Sequence, residues 1–372
     1  MPVVKRSSEF PHKSNGLDLQ DYHHVEIYVG NARQATHFYR TAFGFTPVAY
    51  RGLETGDRNS TSIVLKQGEI YLIVTEALRP DSEVAEHVKN HGEDVKDIAF
   101  IVDDVESAYR MAIERGARSV LPPTTFEDQY GSAVKATIGA FGETVHSFIN
   151  RDSYGGVFFP GFKPLVHSKS AVTTGLTRID HVAVSVGATE FDELIDFYID
   201  VLGFEHSYSE DVLTEYSAMN SKVVQNGSGS IKFPIIAPAP GKRTSQIEEY
   251  LAFHNGPGAQ HIAVACDDIV RTVRTLRENG TEFLSTIETY YHMLNDRVGF
   301  IEESVDDLRE LNVLVDRDEK GYLMQIFTKP LLNRPTVFLE VIQRKGAQGF
   351  GGGNIKALFE AVEREQLLRG NL

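Results

Sequence analysis

The chain is written twice. Residues 95–104 read VKDIAFIVDD and residues 259–268 read AQHIAVACDD, a shared frame of Ile-Ala, a short apolar run and Asp-Asp. Residues 23–45, HHVEIYVGNARQATHFYRTAFGF, match 180–204, DHVAVSVGATEFDELIDFYIDVLGF, through His-Val, Val-Gly, Phe-Tyr and a closing Gly-Phe. Near the end of each half, TVHSFINR (144–151) matches TVFLEVIQR (336–344) once one residue is allowed at the strand start. Two halves with one order of elements imply a duplicated domain, and that constrains the fold more than any composition does.

Each half divides again. HVEIYVG alternates as a strand does, and NARQATHFYRTAF carries its apolar residues at helical spacing. STSIVLKQGEIYLIVTEA reads as two strands around a Gln67-Gly68 turn. DIAFIVDDVESAYRMAIERGA and HIAVACDDIVRTVRTLRENG each read strand then helix, closed by Gly116 and Gly280. The expected unit is βαβββ, four times over, an α+β chain in two domains. The expected divisions are a flexible tail at 1–20, an N-terminal domain at 21–156, a Pro/Gly/Ser-rich linker at 157–176 and a C-terminal domain at 177–372. A closing helix is expected at 354–368, with Asn354 as N-cap and the run GFGGG before it as a hinge.

Composition narrows the function. The length of 372 residues allows two cores of ordinary size. A net charge of −15 argues against nucleic acid or an anionic membrane as partner. A single cysteine, Cys266, forbids an internal disulfide and fits a reducing cytoplasm, the expected location. No apolar run approaches the roughly 18–20 residues that a membrane helix needs.

The halves differ where chemistry could sit. The second carries His181, His261 and Glu340 at the positions where the first carries His24, Asp97 and Ser147. Two histidines and a carboxylate form the facial triad that binds Fe(II) and leaves open positions. Related strand ends can converge inside one cupped sheet, so the repeat gives these three residues a reason to meet. A histidine at a strand start is more often a hydrogen-bonded, half-buried residue. The expectation rests on three ligand-type residues, His181, His261 and Glu340, at equivalent positions, two of which the sister half lacks.

Four segments resemble the vicinal-oxygen-chelate (glyoxalase/bleomycin-resistance-like) fold and, within it, the 4-hydroxyphenylpyruvate dioxygenase family. They are GAQHIA (258–263), YLMQIFTKP (322–330), RPTVFLEVIQRKG (334–346) and GFGGGNIKALFEAVEREQ (349–366). The resemblance runs over nearly the whole chain. It implies a non-haem Fe(II) cofactor on His181, His261 and Glu340 in the second half only. It implies a small 2-oxo acid and O₂ as partners, and leaves a homodimer open. By the same resemblance Ser221, Ile236, Gln246, Gln260, Gln325, Phe338, Phe350, Asn354 and Ile355 border the substrate, with Phe338 and Phe350 flanking an aromatic ring. Read from the residues alone, Phe338 equally fits a core position, and Gln246 needs no explanation at the start of a helix.

Two of these positions depart from the dioxygenase pattern. Ile236 stands where it has Asn, and Ile355 where it has Phe. Both changes resemble the 4-hydroxymandelate synthases of the same family, as do AMNSKVVQ (218–225) and TIGAFGETVHSFINRD (137–152). Pro234, the TKP of 328–330 and the end LLRGNL resemble the dioxygenases instead. The expectation is oxidation of 4-hydroxyphenylpyruvate to 4-hydroxymandelate and CO₂. The alternatives are homogentisate as product or another aryl 2-oxo acid as substrate.

Overall fold

A computed structural model describes residues 17–165 and 172–371. The first module is β1 (Tyr22–Tyr28), α1 (Ala32–Phe43), β2 (Thr46–Arg51), β3 (Ser60–Gln67) and β4 (Ile70–Ala77). After a helix, α2 (Glu83–His91), the second is β5 (Asp94–Ile101), α3 (Val105–Glu114), β6 (Ser119–Asp128), β7 (Gly131–Gly139) and β8 (Val145–Asn150). A short β9 (Lys163–Pro164) follows. The third module is β10 (Leu176–Ser185), α4 (Phe191–Asp196), β11 (Glu205–Leu213), β12 (Ala218–Gln225) and β13 (Lys232–Ala239). After α5 (Gln246–His254), the fourth opens with β14 (Gly258–Cys266) and α6 (Ile269–Glu278). Three short helices, α7 (Thr289–His292), α8 (Leu294–Val298) and α9 (Val305–Leu311), are inserted before β15 (Leu314–Arg317), β16 (Tyr322–Phe327) and β17 (Phe338–Lys345). The last helix is α10 (Gly352–Arg369).

The local chemistry of the repeat is visible in its caps. The second aspartate of each Asp-Asp pair, Asp104 or Asp268, accepts a hydrogen bond from a backbone N–H of the next helix's first turn. The Gly-Phe that closes each first helix uses left-handed backbone at Gly44 (φ 75°) and Gly203 (φ 74°), where a side chain would be strained.

The duplication is exact in topology. The first sheet runs β6-β7-β8-β5-β1-β4-β3-β2 with β9 added at its edge, and the second runs β15-β16-β17-β14-β10-β13-β12-β11 in the same relation. The two curled sheets with their helices form the glyoxalase-type α+β fold. In the first sheet His24 pairs with Ala99, and Ala99 with Ser147. In the second His181 pairs with Ala263, and Ala263 with Glu340. Backbone register therefore places His181, His261 and Glu340 on His24, Asp97 and Ser147. One face of each sheet joins a core shared by both halves, with Val182, Val184, Ile262, Val264, Leu339 and Val341 from the second. The other face is concave and carries the alternate residues.

The two cups have different contents. The first is filled by its own chain: Tyr154, Phe158, Phe159 and Phe162 pack on Ala49, Val64, Ala99 and Ile149. Phe158 lies 5.4 Å and 5.6 Å from the rings of His23 and His24. Part of the segment expected as a linker is thus a plug, and β9 pairs with β2; 166–171 lie outside the described residues. So do 1–16 of the expected tail, whereas Leu17 and Leu19 are buried and Leu19 O accepts from Asn226 Nδ2 at 2.8 Å.

The first cup also holds its own cation. Lys135 pairs with Ile149 as Gln325 pairs with Ile342. Its Nζ lies 3.0 Å from Asp97 Oδ2, which also accepts from Ser147 Oγ at 2.6 Å. Lys135→Met leaves the buried Asp97 carboxylate without a counter-charge and is expected to cost about 3 kcal/mol. Lys135→Met with Asp97→Asn is expected to recover most of it. Urea unfolding of both variants checks this, and metal content measured alongside is expected to stay at the wild-type level.

Candidate metal centre

Three adjacent strands deliver the candidate ligands to one point. His181 comes from β10, His261 from β14 and Glu340 from β17. Their neighbours on the concave face, Ala183, Ala263 and Ala265, are small and leave room above the sheet. His181 Nε2 lies 3.2 Å and His261 Nε2 3.4 Å from Glu340 Oε2. All three side chains are almost fully withdrawn from solvent.

Each of these residues is held from behind. The register of β10 shifts between Ile179 and His181, an irregularity that brings the consecutive residues Asp180 and His181 together. Asp180 Oδ2 lies 2.9 Å from His181 Nδ1. Arg344 then grips Asp180 through two bonds, Nε to Oδ1 at 2.8 Å and Nη2 to Oδ2 at 2.9 Å. Gln260 Oε1 lies 3.2 Å from His261 Nδ1, and the His261 ring stacks on Phe338 at 4.9 Å. Gln325 Nε2 donates to Glu340 Oε1 at 2.8 Å. Asn354 Nδ2 donates to Gln325 Oε1 at 2.8 Å, and Tyr290 Oη lies 2.7 Å from Asn354 Oδ1.

The electrostatics follow from burial and this ring of partners. Burial alone would raise the Glu340 carboxyl, but His181 and then His261 draw it down to about 2. Burial works against a charged His181, yet Glu340 and Asp180 outweigh it and raise that imidazole. Burial lowers His261. Asp180 is also lowered, because Arg344 and His181 overcome its desolvation. The donor set fits a divalent transition metal. Both Nδ1 atoms face side-chain acceptors, so each Nε2 is free to turn a lone pair inward, toward a carboxylate oxygen with no other partner.

A cavity with an empty volume of about 530 Å³ opens onto these atoms. It is lined by His181, His261 and Glu340, and by Ser221, Ile236, Gln246, Gln260, Gln325, Phe350 and Ile355 of the residues expected at the substrate. Two expected residues lie elsewhere. Phe338 stands behind His261 and lines a neighbouring pocket instead. Asn354 is fully buried and bonded to Gln325; it is not the helix N-cap, which is Gly351. Its Oδ1, the atom a cap would use, accepts from Tyr290 instead.

Sequence reasoning missed the rest of the apolar wall: Met219, Val223, Pro234 as a lining residue, Ile247, Phe327 and Leu358. It also missed Asp180 and Arg344, although an acid beside a strand-start histidine was a readable signal. The helix α10 supplies Ile355 and Leu358 to the wall, and its Phe359 packs on Ala183, Met219, Ile236 and Ile247. Among the described residues two further groups could hold a metal: His24 with Glu26 and Asp97, where Lys135 already stands, and His87 with His91 and Glu143.

Comparison with known proteins fits this geometry. Residues 178–326 match the family described as Glyoxalase/Bleomycin resistance protein/Dioxygenase superfamily. Residues 13–158 match Hydroxyphenylpyruvate dioxygenase, HPPD, N-terminal. The chain is 44% identical over 376 residues to 4-hydroxyphenylpyruvate dioxygenase of Yarrowia lipolytica, covering 96% of this chain and 95% of that one. It is also 44% identical to the enzyme of that name from Aspergillus fumigatus, covering 96% of each. A mutant of 4-hydroxymandelate synthase from Streptomyces coelicolor superposes with a TM-score of 0.86 at 38% identity, covering 94% of this chain and 99% of that one.

Asp180→Asn removes the charge that Arg344 and His181 share. It is expected to weaken metal binding about 10–100-fold, the usual effect of losing a group that orients a ligand. Competition against a chromogenic chelator measures this. Glu340→Ala is expected to abolish binding, and His24→Ala to leave it intact; loss of metal in His24→Ala would place the site in the other half.

Proposed function

The chain belongs to the 4-hydroxyphenylpyruvate dioxygenase family, and we propose that it converts 4-hydroxyphenylpyruvate and O₂ to 4-hydroxymandelate and CO₂, with Fe(II) held by His181, His261 and Glu340. It is a dioxygenase with the two-domain fold of that family. Bound there, iron supplies the one-electron chemistry that O₂ needs, with the 2-oxo acid as the source of electrons when it loses CO₂.

The chain's own residues account for binding and orientation. Two neutral imidazoles and one carboxylate leave a divalent ion with net positive charge, which suits an anionic 2-oxo acid. Gln325 holds Glu340 Oε1, so that Oε2 alone faces the histidines. Met219, Val223, Pro234, Ile247, Phe327 and Leu358 give an apolar sleeve, and Phe350 an aromatic face. Ser221, Gln246 and Gln260 are the polar groups within it that can meet a phenol or a carboxylate. Burial of the three candidate ligands keeps bulk water from the reacting atoms.

One observation carries the choice of product. Ile236 and Ile355 border the same cavity and the same apolar cluster, beside Met219 and Ile247. Two branched aliphatics there, in place of an amide and a flat ring, shift where the substrate ring rests. Displacement on the ångström scale is enough to change which carbon meets the oxidant, the benzylic one or a ring carbon. A second reading, homogentisate as product, is favoured by the fungal relatives of that dioxygenase name.

The products are isomers, so chromatography rather than mass separates them. The wild type is expected to release mainly 4-hydroxymandelate. Ile355→Phe is expected to move part of the flux to homogentisate, and Ile236→Asn with it to move more, since bordering positions couple. A change of about 1.4 kcal/mol between competing barriers alters the ratio tenfold. Homogentisate as the main wild-type product would overturn this reading.

The anchoring of α10 gives a second test. Glu363 Oε1 accepts from Thr214 Oγ1 at 2.8 Å and from Ser217 Oγ, and ties the helix to the β11–β12 turn. Glu363→Ala is expected to loosen the cavity wall, so that O₂ consumed exceeds product formed. An oxygen electrode read beside chromatography measures the excess, and fully coupled turnover would show that the tether is dispensable.

A further inference from the structure

A second histidine–carboxylate cluster lies outside the cavity lining, where α2 meets the C-terminal half. His87 and His91 stand one turn apart on α2, with ring centroids 4.8 Å apart. Glu143, in the turn before β8, reaches both. Its Oε2 lies 3.2 Å from His87 Nδ1 and 3.3 Å from His91 Nε2. The three donors lie within 4.8 Å of one another.

The tautomer of His91 makes this arrangement unusual. His91 Nδ1 lies 2.8 Å from the carbonyl oxygen of His254, which can only accept, so Nδ1 carries the proton. His91 Nε2 is therefore the nitrogen that faces the Glu143 carboxylate, and a proton or a metal ion held there joins the two. The nearby charges are spent elsewhere: Asp94 Oδ2 is 2.8 Å from His254 Nε2, and Lys96 Nζ is 3.1 Å from Glu83. The rings of His87 and His91 are 2% and 6% exposed, and Nε2 of each lacks a hydrogen-bond partner.

We propose that His87, His91 and Glu143 form a second divalent-metal site, selective for a borderline ion of the zinc type and independent of the candidate iron centre. Ligands about 2.0–2.1 Å from a tetrahedral ion sit about 3.3–3.4 Å from one another. Both contacts to Glu143 have nearly that length. Nitrogen and carboxylate donors suit zinc and its neighbours. A carbonyl on the far nitrogen of a ligating histidine is the usual supporting contact, and His254 O provides it. Half of the Glu143 side chain is exposed, which gives an ion a way in. The site joins α2 to the turn at Gly142, whose backbone (φ 52°) lies so close to Pro257 O that a Cβ there would meet it at 2.6 Å. An ion would therefore stiffen the seam between the two halves, beside α5.

The test uses tag-free, iron-loaded enzyme and Zn²⁺ as the probe. After equilibration and gel filtration, one zinc per chain is expected in addition to the iron. The unfolding midpoint is expected to rise with zinc concentration, as it does for any ligand of the folded state. Glu143→Gln keeps the shape of a half-exposed residue, and is expected to weaken zinc binding about tenfold or more with iron content unchanged. His91→Gln serves as a second variant and is expected to do the same. The proposal is overturned if wild-type enzyme retains no extra zinc, if zinc enters only as iron leaves, or if Glu143→Gln binds it as tightly as wild type.

Discussion

One row of backbone pairing governs this molecule. His181 lies beside Ala263 and Ala263 beside Glu340, while His261, two residues before Ala263, falls on the same face of the sheet. A strand alternates faces with a period of two, so a slip of one residue would turn either histidine away from Glu340. The small alanines between them let three large polar side chains share one space. The shared core below, with Val182, Ile262 and Val341, resists such a slip, because it would send apolar residues into the cavity.

The same row in the first half carries different side chains. Histidine, aspartate and serine take the three places, and Lys135 brings an ammonium to the aspartate. The aromatic segment around Phe158 then fills the cup. A buried carboxylate needs a counter-charge, and a cup lined with apolar side chains needs a filling. The first half meets both needs from its own chain. The second half leaves its cup open, and its donors converge on a point that an ion can occupy. Duplication thus yields one half whose cup is filled by its own chain and one whose cup stays open beside a candidate metal centre.

Support for the candidate centre comes from well outside the three ligands. Arg344 fixes Asp180, and Asp180 fixes the His181 ring. Through Gln325 and Asn354 the start of α10 is joined to Glu340, so the helix that walls the cavity also steadies a ligand. Ile355 lies one residue from that junction, which makes cavity shape and ligand orientation parts of one packing problem.

Repetition, strand alternation and Asp-Asp caps are local properties. For that reason the four modules, the pairing of His181, His261 and Glu340 with the sister positions, and most of the helices were legible in the chain. The family was legible too, because it is a matter of residue identity over long segments. What no local pattern carries is distance between segments remote in sequence. Only the tertiary structure put Phe338 behind His261 rather than in the cavity, spent Asn354 on Gln325, stood Lys135 against Asp97, and brought Glu143 to His87 and His91. Each of those outcomes depends on how strongly two sheets curl and on which helix packs across them, and side-chain contacts between distant segments are settled by that packing rather than by the residues' own periodicity.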